Sequence, residues 1–421
     1  MHVVTRGSCR VCGSRALSPV IDLGAQMLAS AFILDGETRE LPQRKVPLEL
    51  VRCDPLKDEN ACGLVQLRHS FPKELIYSNY GYASGVNQTM RDALADITRR
   101  AQDFVKLSAK DIVVDIGAND GTLLKAYDVP GLDRIGFDPA RNVAQPGEPF
   151  TRVVDFFNAE AFRRARGPEA RAKIITSIAM FYDLDEPAAF LKDIASILHQ
   201  DGIWIVQFAD LPGMLLTNMY DNICHEHVAY YHLAPIERLF AQAGLQLVDL
   251  ELNDVNASSY RLYVRHKHGP AATDEGLARV RAQQTAEFNM KLDENEPYER
   301  FKENVISSRY ALRYLLEFLK KEGKKVIGYG ASTKGNVILQ YCGITQDLVP
   351  YLADRNPRKH GGSTLGSDIP IISEEDARKM KPDYFLVLPY HFLPEMRKRE
   401  KDFIDRGGRF IVPVPTVQLI P

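Results

Sequence analysis

The sequence contains no run of about 18 or more apolar residues, the length that a membrane-spanning helix requires. Its first residues, Met1 to Arg6, lack the apolar core of a secretory signal peptide. Acidic and basic residues nearly balance, 55 against 53, so the chain lacks the basic excess typical of nucleic-acid-binding proteins. These absences predict a cytoplasmic protein that binds neither a membrane nor nucleic acid.

Cysteine is scarce, with six residues in 421, which in a cytoplasmic chain favours metal binding or catalysis over disulfides. Four of the six lie near the start of the chain: Cys9, Cys12, Cys53 and Cys62. Cys9 and Cys12 form a C-x-x-C knuckle, whereas the second pair is more widely separated. We predict a closed, structural zinc site that stabilises a module too small for a large core. A small irregular domain with reduced thiols is the alternative.

The usual G-x-G-x-x-G fingerprint of dinucleotide-binding loops is missing from the most informative stretch of the chain. An apolar run over 112–116 leads into the turn Gly117-Ala118-Asn119-Asp120-Gly121 and then into a helix-like segment. This pattern predicts a buried parallel strand whose carboxyl end binds a ligand. Asp115 and Asp120 flank the first glycine, and two carboxylates would repel a pyrophosphate but suit a ligand that carries an ammonium or sulfonium charge.

A further acid follows the next predicted strand. Asp138 ends the segment 134–137, about 20 residues further on, at the position that accepts ribose hydroxyls in doubly wound nucleotide folds. Together with the acidic turn, it predicts a site for S-adenosylmethionine. The predicted contacts are Asp115, Gly117, Asn119, Asp120, Gly121 and Asp138. A glycine-rich turn without a ligand is the alternative.

Strand-like and helix-like segments alternate through the middle of the chain, which predicts a parallel sheet covered by helices on both faces. A stretch without strand signals follows over 274–321, and Glu294-Asn295-Glu296-Pro297 marks a helix break or start. We interpret this stretch as a helical linker.

A second unit of strand, glycine turn and helix follows at 325–341, and its glycines also lack the G-x-G-x-x-G spacing. Physical chemistry allows a phosphate group at the start of its helix, beside Lys334 and the hydroxyls of Ser332 and Thr333. A nicotinamide site and a bare packing turn are the alternatives.

Between the two units lies the densest cluster of titratable and aromatic groups, over 222–232. It contains the consecutive residues His225, Glu226 and His227. A histidine can act as a general base near neutral pH, and a neighbouring carboxylate can orient it. The spacing is not H-E-x-x-H, which disfavours a helical zinc-protease site. A polar loop capped by aromatic residues is the alternative.

The chain resembles a known family, the three-domain C-methyltransferases that act on nucleotide-linked 4-keto deoxysugars. The resemblance covers nearly the whole chain and is most specific in four ordered segments: Cys62 to Leu67, Asp115 to Gly121, His225 to His227 and Gly328 to Asn336. It implies an α/β fold in which a central Rossmann-like methyltransferase sheet lies between an N-terminal zinc-binding module and a C-terminal Rossmann-like domain. The expected boundaries are 1–75 for the zinc module, 76–273 for the methyltransferase domain, 274–322 for the helical linker and 323–421 for the C-terminal domain.

The resemblance also implies roles for single residues. His227 matches the family's base, Glu226 contacts or polarises the sugar, and Lys334 and Asn336 lie near its diphosphate or sugar. A tyrosine from 77–82 closes over the site. We expect Tyr80 to have this role and Tyr82 to contact the substrate; the alternative is that Tyr77, Tyr80 and Tyr82 are packing aromatic residues.

Two positions depart from the family's pattern. Cys224 stands where a tyrosine is common, and a histidine after the fourth strand is replaced around Phe181 and Tyr182, whose hydroxyl could take over one role. These departures leave open that His225 is the base and that the methylated carbon is C-5 instead of C-3. We expect a monomer. A nicotinamide-dependent sugar oxidoreductase and a non-catalytic zinc protein are the alternatives from other classes.

Overall fold

The structure of the chain is a computed structural model that describes residues 3–34, 44–77 and 83–421. Within these ranges no helix has the length and apolar character needed to cross a membrane. The N-terminal part consists mainly of short strands. Its elements are β1 (Val4–Thr5), β2 (Leu17–Gln26), β3 (Phe32–Ile33), β4 (Val46–Cys53), β5 (Val65–Leu67), β6 (His69–Ser70) and α1 (Lys73–Tyr77).

The central part alternates strands and helices, as the sequence predicts. Its elements are α2 (Gln88–Phe104), β7 (Ile112–Ile116), α3 (Thr122–Lys125), β8 (Asp133–Phe137), β9 (Thr151–Val153), α4 (Ala159–Arg166), β10 (Ala172–Ile178), α5 (Pro187–Ile197), β11 (Leu198–Ala209), α6 (Leu211–Leu216), β12 (Ala229–Tyr230), α7 (Leu233–Gln242), β13 (Leu245–Asn253) and β14 (Ser259–His266).

The strand order of the central sheet opens a crevice at the end of β7. The order is β13-β14-β11-β10-β7-β8-β9, in which β14 is antiparallel to both neighbours and the remaining pairs are parallel. The order reverses between β7 and β10, and a ligand crevice lies at such a switch point. Helices cover both faces of this sheet. Alternate residues of β7 point to opposite faces, and apolar residues on each face pack against a helix. Val113 packs in one core with Ile97 of α2, and Val114 packs in another with Leu191 of α5.

The C-terminal part begins with two helices and ends in a second sheet. Its elements are α8 (Asp274–Asn289), α9 (Glu296–Lys321), β15 (Val326–Tyr329), α10 (Thr333–Cys342), β16 (Leu352–Asp354), β17 (Ser363–Thr364), β18 (Ile371–Ser373), α11 (Glu374–Lys379), β19 (Tyr384–Val387), α12 (Leu393–Arg399), α13 (Lys401–Asp405), β20 (Arg409–Val412) and β21 (Gln418–Ile420). The sheet has the order β18-β16-β15-β19-β20-β21 and is parallel except at β21.

The two helices between the sheets are packed against their neighbours. α8 lies along β13, and the Glu287 carboxylate accepts a hydrogen bond from the backbone N–H of Leu233 at 2.8 Å. α9 starts at the predicted helix break, with Pro297 in its first turn, where the missing N–H costs nothing. The segment before α9 also contacts the N-terminal part, because Arg52 donates to Asn295 Oδ1 at 2.7 Å.

One hydrophobic core joins the N-terminal and C-terminal parts. It contains Leu50 of β4, Val305 of α9 and Ile338 of α10, all fully buried. β3 also pairs with β17, and the N-terminal sheet has the order β12-β5-β4-β2, so that a strand of the central part completes it. The N-terminal part therefore contacts both of the other parts and fixes the walls of the space between them.

Candidate functional site

A cavity of about 800 Å³ lies at the carboxyl end of β7 and is bounded by the N-terminal, central and C-terminal parts of the chain. The central sheet contributes Asp115, Gly117, Asn119, Asp138, Tyr182 and Asp183. The turn before β12 contributes His225, Glu226 and His227. The C-terminal part contributes Ser332, Thr333, Lys334, His391 and Phe392. Most of the residues proposed from the sequence thus line one space, although they come from three distant segments.

The turn after β7 requires glycine at both ends. Gly117 and Gly121 each have φ of +74°, a conformation that other residues adopt at a cost. A Cβ on Gly121 would lie 2.3 Å from the ring of Phe150. The tight turn directs Asn119 N–H onto Asp138 Oδ2 at 2.7 Å. The backbone of this turn therefore forms one wall of the crevice, and the absence of side chains at the two glycines allows a ligand to lie close to it.

We expect Gly121→Ala to lower the free energy of unfolding by about 1–3 kcal/mol, because the new methyl group overpacks against Phe150. It should also weaken S-adenosylmethionine binding through displacement of the turn. Gly147→Ala is the matched control, since Gly147 has φ of +75° but open space around it. Urea unfolding and calorimetry measure both effects, and equal losses in the two variants would show that only the backbone conformation matters.

Two buried carboxyl groups face the crevice. Burial and, to a smaller extent, the charge of Asp138 raise the pKa of Asp115 to about 7, whereas a hydrogen bond from Thr176 at 2.6 Å opposes the shift. Burial also raises the pKa of Asp138, although the N–H groups of Ala140 and Asn119 oppose this. A cationic ligand would relieve the cost of ionising this pair. The residues present therefore fit a sulfonium cofactor with an amino-acid head group.

Asp120, proposed as a cofactor contact, does not line the cavity. Its carboxylate accepts from Gly85 N–H at 2.8 Å and from the Thr122 hydroxyl at 2.6 Å. Asp120 thereby holds the segment before α2 against the start of α3. In the same segment, the N–H of Ser84 donates a hydrogen bond to Asn119 Oδ1. Asp120 therefore stabilises the segments around the crevice without lining it.

His227 lies partly buried in the cavity wall as the neutral imidazole. Burial, assisted by the charge of Lys334, lowers its pKa to about 3. Nδ1 lies 3.0 Å from the carbonyl oxygen of Asn222, to which only a protonated nitrogen can donate. This contact leaves Nε2 as the nitrogen with a lone pair, which is the form that a general base requires.

His225 and Glu226 line the same cavity but have different contacts. Nε2 of His225 lies 3.2 Å from the carbonyl oxygen of Val46, and its ring packs against Phe71. Both carboxylate oxygens of Glu226 are buried without a hydrogen-bond partner among the described residues. Such atoms require a partner, which a bound ligand can supply.

Lys334 lies at the C-terminal side of the cavity, in the first turn of α10. Its charge helps burial to lower the pKa of His227 and of His391, and it opposes the rise that burial causes in the pKa of Asp221, so these three side chains lie near it. The adjacent hydroxyl of Ser332 caps α10 by accepting from Gly335 N–H at 3.0 Å. A lysine beside a helix start can bind an anion.

Asn336, proposed to lie near the substrate, is instead fully buried between two parts of the chain. Its Nδ2 donates to the carbonyl oxygen of Ala29 at 2.7 Å, and it does not line the cavity. Tyr80 and Tyr82 lie outside the described residues. Tyr77, from the same stretch, lines the cavity, and its hydroxyl lies 3.4 Å from the carbonyl oxygen of Glu226.

The four N-terminal cysteines form the predicted cluster. Their sulfur atoms lie within 4.8 Å of one another, with Cys9 and Cys62 at 3.5 Å and Cys12 and Cys53 at 3.4 Å. A tetrahedral zinc–thiolate site has sulfur atoms about 3.8 Å apart. The N–H groups of Val11 and of Cys62 donate to Cys9 Sγ and Cys53 Sγ, which favours the thiolate forms. These residues fit one structural zinc ion.

Several residues of the cavity wall are not among those predicted from the sequence. Asp183 and Met180 follow β10, and His391 and Phe392 follow β19. The signal that could have found them is their place after a parallel strand, because the carboxyl ends of neighbouring strands lie at one edge of the sheet.

Three family models match successive parts of the chain. They describe a "Putative zinc binding domain" at residues 9–77, a methyltransferase domain at 86–250 and a C-methyltransferase C-terminal domain at 254–415. The C-methyltransferase NovU of Streptomyces niveus is 30% identical over 422 residues, which cover 98% of this chain and 96% of NovU.

Two solved methyltransferase structures each resemble part of the chain. CalO1, a methyltransferase in calicheamicin biosynthesis in its SAH-bound form, is 14% identical and has a TM-score of 0.32 over 42% of this chain and 54% of CalO1. The magnesium protoporphyrin IX methyltransferase of Synechocystis PCC 6803 with bound SAM is 13% identical, with a TM-score of 0.31 over 44% of this chain and 86% of that one. Similarities at these TM-scores support no inference about the site.

Proposed function

This chain belongs to the zinc-containing, S-adenosylmethionine-dependent C-methyltransferases, and from that premise we propose that its substrate is a nucleotide-linked 4-keto deoxysugar. The carbon that receives the methyl group is the one next to the ketone, with C-3 favoured over C-5. The observation that carries the proposal is the continuity of the cavity, which joins the cofactor turn at Gly117 to His227 and to Lys334.

His227 is the proposed base. Its neutral ring can take the proton from the carbon next to the ketone, and the electron pair then moves onto the ketone oxygen. S-adenosylmethionine, when bound, supplies an electrophilic methyl group, so that a carbon–carbon bond forms and the sulfur keeps the electron pair of the broken bond. Tyr182, whose ring centre lies 4.1 Å from that of His227, restricts the orientation of the imidazole. Holding both substrates in one enclosed space contributes further to the rate.

Substrate binding would strengthen the base. The charge of Lys334 is one of the two causes that lower the pKa of His227. A diphosphate bound at Lys334 would neutralise that charge, and the pKa of His227 would then rise. The imidazole would become a stronger base only when the substrate is in place.

The proposal is tested by incubating the protein with S-adenosylmethionine and a panel of dTDP-, GDP- and CDP-linked 4-keto deoxysugars. Mass spectrometry should show the gain of one methyl group on one member of the panel, and NMR of the product should locate it on C-3. A methyl group on C-5 would support the proposed reaction but contradict the assignment of C-3 as the methylated carbon. No gain with any member of the panel would contradict the proposed substrate class.

We expect Lys334→Met to raise the KM for the sugar nucleotide about 10- to 100-fold, because a charge-assisted contact with the diphosphate is lost. The affinity for S-adenosylmethionine should be unchanged. Lys398→Met is the matched control, since Lys398 is an exposed lysine of α12 that does not line the cavity. Equal KM values for Lys334→Met and the wild type would show that the anion binds elsewhere.

A further inference from the structure

Asp183 is a partly buried residue of the cavity wall to which the mechanism above gives no role. It ends the 3-10 turn Phe181–Asp183 that follows β10, and it lines the cavity. Its Oδ1 is buried and has no hydrogen-bond partner among the described residues. Native structures rarely leave such an atom unpaired, so an unpaired oxygen in the wall of a ligand cavity indicates where a polar atom of the ligand binds.

Several contacts fix Asp183 close to the proposed base. The carbonyl oxygen of the preceding residue, Tyr182, accepts from Val228 N–H at 3.0 Å, which ties this turn to the one that carries His227. The ring of Tyr182 packs against the ring of His227. Tyr77 hydrogen-bonds to the Asp183 carboxyl group and lies near the backbone of Glu226. The position of Asp183 relative to His227 is therefore set by packing and by backbone contacts.

The surroundings favour the protonated form of Asp183. Burial raises its pKa well above the usual range, and the charge of Glu226 raises it further, whereas the hydrogen bond from Tyr77 opposes the shift. His227, which lines the same wall, is neutral for the reason given above. A neutral carboxylic acid has one O–H donor, and in an apolar site it can stabilise an oxyanion.

We propose that Asp183 is a further catalytic residue, whose carboxylic acid donates a hydrogen bond to the substrate ketone and stabilises the enolate oxyanion formed when His227 removes the neighbouring proton. This inference rests on the proposed function. The proton from carbon goes to His227, the electron pair goes to the ketone oxygen, and Asp183 keeps its own proton throughout. A preorganised donor of this kind acts where charge develops in the transition state.

Two substitutions test whether Asp183 acts as a hydrogen-bond donor or through a negative charge. Asp183→Asn keeps the shape and an N–H donor, and we expect its kcat to stay within about 10-fold of the wild type. Asp183→Leu removes the donor, and its kcat should fall about 100- to 1,000-fold, with little change in KM. The kcat/KM of the wild type should fall at alkaline pH as Asp183 ionises, and this limb should be missing in Asp183→Asn. Equal losses in both variants, or none in Asp183→Leu, would overturn the assignment.

A spectroscopic measurement tests Asp183 without a substrate, so that its failure is distinguishable from failure of the proposed function. The infrared difference between the wild type and Asp183→Asn at pH 7 should contain the carbonyl stretch of a protonated carboxylic acid. Its absence would overturn the inference even if the wild type methylates a sugar nucleotide. Thermal melting and S-adenosylmethionine calorimetry serve as folding controls. If Asp183→Leu does not fold, the infrared band and the pH profile of Asp183→Asn decide the matter.

Discussion

His227→Gln should lower kcat for methyl transfer about 100- to 10,000-fold, the range that a general base contributes. Glutamine can still donate a hydrogen bond to the carbonyl oxygen of Asn222 but cannot accept a proton at neutral pH. S-adenosylmethionine binding by calorimetry should be unchanged. The decisive measurement is exchange of the hydrogen next to the ketone with deuterated water, which should be lost together with methyl transfer.

His225→Gln is the matched control for this experiment. His225 is also buried in the cavity wall, but the ring nitrogen that contacts Val46 links it to the N-terminal part. We expect a change in stability and a smaller loss of exchange than in His227→Gln. If exchange persists in His227→Gln and disappears in His225→Gln, His225 is the base.

The pH dependence follows from the lowered pKa of His227. Because that pKa is about 3 in the free enzyme, the imidazole is already deprotonated above pH 5, and kcat/KM should show no acidic limb from this group between pH 5 and 8. The same shift affects stability. In the unfolded chain the histidine binds its proton near the usual pKa of 6.5, so the contribution of His227 is present above that pH and decreases as pH falls towards 3.

Cys62→Ser should abolish stoichiometric zinc binding and lower the melting temperature by an amount on the order of 10 °C or more. The metal would cross-link N-terminal segments whose buried side chains belong to cores shared with the rest of the chain. Its loss would also disturb the hydrophobic core that Leu50 of β4 shares with α9 and α10. Chelation of the wild-type protein should have the same effect. Metal content by mass spectrometry and thermal melting measure both outcomes.

Cys342→Ser is the control for thiol chemistry. Cys342 is buried in α10, outside the cluster of four cysteines, so this variant should retain one zinc ion per chain. Full zinc content in Cys62→Ser, or none in the wild type, would contradict the structural zinc site.

The cofactor turn and the cysteine cluster could be predicted because their chemistry is local. Gly117 and Gly121 are needed wherever this turn forms, and the β-branched run before them specifies a buried strand. The C-x-x-C knuckle directs two thiolates to one point. Asp120 was less predictable. An acidic residue in this turn can contact the cofactor or hold a neighbouring segment, and in the structure it accepts a hydrogen bond from Gly85 N–H.

The amino-acid sequence by itself determined the family, the α/β architecture, the glycine turn after β7 and the cluster of four cysteines, since each depends on residues near one another in the chain or on fixed spacings. Only the tertiary structure decided the composition of the cavity wall. It placed Asn336 in the contact with Ala29, and it left Oδ1 of Asp183 without a hydrogen-bond partner among the described residues. The physical reason is that these contacts join segments far apart in the chain, whose positions follow from the shared core and not from local pattern.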